Sequence, residues 1–144
     1  ARARNSELRR RVGSDHRLAW EQMFFHGTAG QPLTRQHAGD YAIPLDMLRL
    51  APSASNKQPW RVVKDGLAWH FYLQRTRGYN SGIASRLLKI PDLQRVDMGI
   101  AMCHFALTAA EMGLGGRWVV SPPSVPGGLP ESDAAGEYTA SWIT

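Results

Sequence analysis

Ala51-Pro52-Ser53-Ala54-Ser55-Asn56-Lys57-Gln58-Pro59-Trp60 joins two stretches of different periodicity, and that junction decides how the fold is read. Before it, Ile43, Met47, Leu48 and Leu50 fall roughly on one face of a helix over 40–50, with Asp40 as its cap and Pro44 in its first turn. Pro52 stops that helix, because the residue before a proline avoids the α region. After the junction, Arg61-Val62-Val63-Lys64 leads through Asp65-Gly66 into Leu67–Leu73. Asp-Gly between two β-favouring runs predicts a hairpin whose two central residues take positive φ. Leu67, Trp69, Phe71 and Leu73 alternate with Ala68, His70 and Tyr72, which predicts one buried and one more polar face. The junction itself is a loop rich in hydroxyls and amides on a rigid frame, suited to gripping a polar ligand. The same residue types are ordinary turn formers. Trp60 is expected in the core, and Lys57 in solvent.

Working outward, residues 1–14 read as a basic, irregular lead-in carrying Arg2, Arg4, Arg9, Arg10 and Arg11. Asp15 is placed to cap a helix running to about Phe25, ended by Gly27, Gly30 and Pro32, with 26–39 as loop. Residues 74–91 are polar and read mainly as loop, with a short helical piece at 83–89. The clearest element is a helix from Leu93 to Met112. Val96, Ile100, Cys103, Leu107 and Ala110 form one apolar stripe, and Met98, Met102, Phe105, Ala109 and Met112 a second, so the helix is expected to be buried. Gly113 and Gly115 end it. Arg117–Val120 reads as a strand, 121–136 as a proline-rich loop, and Glu137–Thr144 as a closing strand. The expected class is α+β, an antiparallel-rich sheet packed with helices around a buried central helix, in one domain over 15–144.

Composition excludes several classes. The 144-residue chain carries a net charge of +5, yet it shows neither interleaved basic and aromatic residues on a strand nor zinc-finger spacing, so no nucleic-acid partner is expected. No run approaches the roughly 18 apolar residues of a membrane span. The arginine-rich start lacks the apolar stretch of a secretory signal. Cys103 is the only cysteine; it permits no intrachain disulfide, fits a cytoplasmic setting, gives no zinc-ligand spacing, and is read as a core thiol.

The 52–60 run resembles the flavin-binding loop of the nitroreductase family. Val96-Asp97-Met98-Gly99-Ile100-Ala101, continued by Leu107–Leu114, resembles the long central helix of the same family. The similarity is nearest to the TM nitroreductase branch, covers about residues 15–144, and corresponds to the C-terminal half of that pattern. The arginine-serine run that opens the family has no counterpart here. The resemblance implies FMN contacts from Pro52, Ser53, Ala54, Asn56 and Gln58, where amides can both donate and accept, and a phosphate contact from Arg17. It implies an oxidoreductase taking electrons from NAD(P)H and passing them to a nitro compound, quinone or similar small-molecule acceptor, with the flavin carrying the chemistry and no catalytic side chain required. It also implies a homodimer or association with a complementary half. The missing arginine-serine run leaves open a non-catalytic relative without a complete flavin site.

Overall fold

Strand β3 (Ala68–Leu73) is the middle of a five-stranded sheet whose order is β1-β2-β3-β5-β4. The others are β1 (Phe24–His26), β2 (Trp60–Asp65), β4 (Arg117–Val119) and β5 (Glu137–Ile143). The computed structural model describes residues 7, 9–27, 31–76, 92–123 and 136–144; the helical piece expected at 83–89 and most of the 121–136 loop lie outside them. Among the described residues, the helices that accompany the sheet include α1 (Arg35–Ala38), α2 (Ala42–Leu50) and α3 (Leu93–Glu111). The α+β class holds, but the sheet is mixed, because β1 pairs parallel with β2 through Phe24 and Val62.

The helix expected from Asp15 to Phe25 does not form. Trp20–Gln22 is a single 3-10 turn, and the next residues enter the sheet. Met23 and Phe24 are fully buried, and Met23 O accepts the Val62 N–H at 2.9 Å. Three apolar residues in a row satisfy a strand end better than one helical face. Asp15 pairs with Arg9 at 2.9 Å instead of capping. The lead-in is less irregular than expected, since Arg9–Arg11 are helical and Gly13 ends that turn with φ +59°. Thr34 was not expected as a cap, yet its Oγ1 accepts the His37 N–H and starts α1. The α2 helix begins at Ala42 without a side-chain cap, so Asp40 sits in the preceding 3-10 turn. Pro44 lies in the first turn of α2, where its missing N–H costs nothing.

The hairpin is present with a shifted loop. Asp65 pairs with Ala68, so the two loop residues are Gly66 and Leu67, and Gly66 alone takes positive φ. The polar face of β3 is buried as well. His70 Nδ1 lies 2.7 Å from Ser141 Oγ, and that hydroxyl lies 2.8 Å from Tyr138 OH. The polar groups partner one another, which removes the cost of burial.

On the helical side, Asp92 caps α3 by accepting the Arg95 N–H. Gly113, at φ +70°, ends it, and Leu114 N–H returns to Ala109 O at 2.8 Å. Phe105 of α3 anchors an aromatic cluster, with ring centroids 5.2 Å from Phe71, 5.6 Å from Tyr41 and 5.8 Å from Trp142. Only one stripe of α3 is buried: Met98, Ala101, Phe105 and Ala109. Val96 and Leu107 of the other stripe are exposed by 53% and 65%, and Cys103 is exposed. The sheet is a single layer, so among the described residues the helix has apolar partners mainly on one side. Among the described residues, no helix is long and apolar enough to cross a membrane, and no group of three or more His, Cys, Asp or Glu residues could hold a metal.

Candidate functional site

The loop between α2 and β2 is held in a conformation that L-residues rarely adopt. Ser55, Asn56 and Gln58 have φ of 51°, 53° and 48°, and each such residue costs on the order of 1 kcal/mol or more. Compensating bonds surround them. Ser53 Oγ accepts the Gln58 N–H at 2.9 Å, and Ser53 O accepts the Asn56 N–H at 3.0 Å. Both carboxylate oxygens of Asp97, on α3, accept the Ala54 N–H at 2.9 and 3.0 Å. Burial pushes the Asp97 carboxyl above its ordinary range, and the Ala54 N–H opposes that rise.

The two amides of the loop point at the chain's own N-terminal arm. Asn56 Nδ2 donates to Gly13 O and to His16 O, and Asn56 Oδ1 accepts from Arg17 at 3.2 Å. Gln58, 2% exposed, accepts the Leu18 N–H through Oε1 at 2.9 Å and donates through Nε2 to His16 O and Asn56 O. Both amides are therefore saturated by residues 13–18 and the loop itself, over a sequence separation of about forty residues. Pro52, Ser55 and Lys57 are exposed, and Ser53, Ala54 and Asn56 half-buried.

Three guanidinium groups gather at the base of this loop, each donating to backbone carbonyls. Arg17 donates to Ser14 O, His16 O and Leu50 O, and its Nε is buried without a partner. Arg49 Nε donates to Leu18 O at 2.8 Å. Arg61 donates to Gln58 O and Trp60 O, and burial lowers its pKa to about 10, which leaves it charged at neutral pH. None of the three pairs with a carboxylate among the described residues. The result is a concentration of positive charge that attracts a small anion.

Of the residues singled out in the sequence, Pro52, Ser53, Ala54, Asn56, Gln58 and Arg17 all fall in this one region. Asp97, Arg49 and Arg61 were missed. Asp97 entered only as part of the Val96–Ala101 run, with no role of its own; its signal was a carboxylate standing among the buried positions Gln94, Met98 and Ala101. Arg49 and Arg61 flank the loop, but nothing in their spacing distinguishes them from surface arginines.

A family model described as "Putative TM nitroreductase" matches residues 38–109, which are 72 of the 144 residues, half of the chain. The matched span runs from the end of α1 to the last turns of α3 and contains the loop, Asp97, Arg49 and Arg61. No curated protein matches, and no solved structure matches.

Proposed function

Because the chain belongs to the Putative TM nitroreductase family, and so is oxidoreductase-like in kind, we propose that it is an FMN-dependent oxidoreductase using NAD(P)H to reduce nitro compounds, quinones or similar small acceptors. The observation that carries the cofactor assignment is the set of three arginines that have no carboxylate partner among the described residues, around the strained loop. Arg17 offers a buried Nε that still lacks an acceptor, which fits a phosphate oxygen. The half-buried Ser53 and Ala54 bring small side chains and backbone to the surface beside the exposed Pro52, which suits close approach of a flat polar ring.

FMN supplies the two-electron redox chemistry when bound. The roles left to the chain are binding and orientation. Pro52, Ser53 and Ala54 touch the cofactor in this reading, and Arg17 faces its phosphate. Asn56 and Gln58, whose amides are saturated, act chiefly by fixing the arm that carries Arg17. Asp97 fixes the loop from below through the Ala54 N–H. The saturation of Asn56 and Gln58 is also the observation that favours the second reading, a relative that keeps the fold without a complete flavin site.

Titration with FMN and with riboflavin, followed by flavin fluorescence, tests the proposal. The expected result is FMN binding at least about tenfold tighter than riboflavin, equivalent to about 1.4 kcal/mol, with that preference lost in Arg17→Gln. Equal affinities for the two flavins would remove the phosphate assignment. No binding of either flavin by the folded chain would leave the non-catalytic reading.

A further inference from the structure

Two of the five histidines face each other across the far edge of the sheet. His26 ends β1 and His37 lies in α1, and both are exposed. Their rings stand with centroids 5.5 Å apart and planes 13° apart. Each is fixed by its own element. His26 pairs with Lys64 of β2, and its N–H donates to Gln31 O at 2.9 Å. Thr34 Oγ1 accepts the His37 N–H at 3.1 Å and lies 3.0 Å from His37 Nδ1. The pair sits at the other end of β2 from the 52–58 loop, because that strand runs from Trp60 beside the loop to Asp65, next to Lys64.

We propose that His26 and His37 together bind one divalent transition-metal ion, copper(II) ahead of nickel(II) and zinc(II). The spacing of the rings decides whether they can share an ion. With an imidazole nitrogen about 2.0–2.1 Å from such an ion and about 1.15 Å from its own ring centre, two ligating rings have centroids about 4.5 Å apart at right angles and about 6.4 Å apart in line. The observed 5.5 Å lies inside that window. Both rings are exposed, so each turns about its Cβ–Cγ bond to aim one nitrogen at the shared ion while the backbone stays in place. Thr34 Oγ1 is placed to accept the Nδ1–H of His37, which fixes the tautomer that leaves Nε2 as the ligand. The neighbouring cations are engaged elsewhere. Lys64 Nζ donates to Gly66 O at 3.0 Å and lies over the Trp69 ring, and Arg35 is paired with Asp46 and lies over Trp20. Imidazole ligands suit copper, nickel and zinc, whereas magnesium and calcium take oxygen, and copper(II) heads the affinity order. No third His, Cys, Asp or Glu joins the pair among the described residues, so the ion keeps positions open to water and exchanges readily. The proposal does not depend on the flavin reading.

The test titrates copper(II) chloride into the purified chain, followed by calorimetry and by electron paramagnetic resonance. One tight site per chain is expected, with superhyperfine lines from two nitrogens. His26→Asn and His37→Asn should each weaken that site at least about tenfold and reduce the lines to those of one nitrogen. Circular dichroism should stay that of the folded chain in both variants, because both side chains are exposed. Nickel(II) and zinc(II) should bind the same pair more weakly, and magnesium should not compete. A wild-type signal from a single nitrogen, or an affinity that either variant leaves unchanged, means an adventitious ion only and overturns the proposal. A folded chain that takes up no copper(II) overturns it equally. Should a variant misfold, the nitrogen count of the wild-type chain decides by itself.

Discussion

The aromatic core around Phe105 and the loop over 52–58 are held by different kinds of force, although α3 contributes to both. Around Phe105 the contacts are non-directional. Phe71, Tyr41, Trp118 and Trp142 surround one ring, and stability there follows the apolar area removed from water. In the loop the contacts are directional and individually necessary. Three residues in the left-handed region are held by Asp97, by Ser53, and by the amides of Asn56 and Gln58. The contrast teaches that this fold holds its polar loop in place by borrowing polar groups from residues far away in sequence.

The sharpest break of the core half of the comparison is Phe105→Ala. It should cost about 3–5 kcal/mol, read as a lower urea midpoint, and the fully buried site leaves no solvent to fill the cavity. The loop half breaks at Gln58→Ala. That change leaves the Leu18 N–H without its acceptor, so about 1–3 kcal/mol is expected, with the arm over 13–18 exchanging its amide hydrogens faster than the sheet does. Should Gln58→Ala lower stability without loosening the arm, the amide would be packing filler and the comparison would fail.

A smaller effect separates the two faces of the sheet. Burial holds the His70 imidazole below its ordinary value of 6.5, against a weaker pull from Asp65. The unfolded chain therefore takes up the proton first. Stability is fully present above about pH 6.5 and is lost as pH falls from there through the lower folded value. His70→Gln keeps a partner for Ser141 but does not titrate, so its unfolding midpoint should fall less between pH 7 and about pH 5. Equal slopes for the two proteins would assign the acid loss elsewhere. The smallest change has the opposite sign. Ser55→Gly relieves an exposed residue at φ 51° and should raise the free energy of unfolding by up to about 1 kcal/mol, which measures how much strain the loop stores.

How much of this was legible in the sequence follows the same division. The 3.6-residue period of 93–112 located α3 to within one residue of its observed end at Glu111, and the hairpin was found because its strands are apolar and its turn holds Gly66. Hydrophobic periodicity reports burial, so it serves the core well. It overreached where it treated both stripes of α3 as buried, since an apolar stripe looks the same whether its partner is this chain or another. It also misread Met23-Phe24-Phe25, whose place in the sheet depends on a parallel partner about forty residues away. The loop residues were legible as a motif, but their orientation was not. Nothing local tells Asn56 to turn toward Gly13 and His16, and Asp97 finds Ala54 only because α2 and α3 lie side by side.

The central claim is that the loop and its arginines hold a flavin phosphate. A visible absorption spectrum of the purified chain, taken after incubation with FMN and desalting, tests it most directly. The account predicts a retained flavin band that Arg17→Gln largely removes while the protein stays folded. A folded wild-type chain that emerges colourless, or one whose flavin band is unchanged in Arg17→Gln, contradicts it.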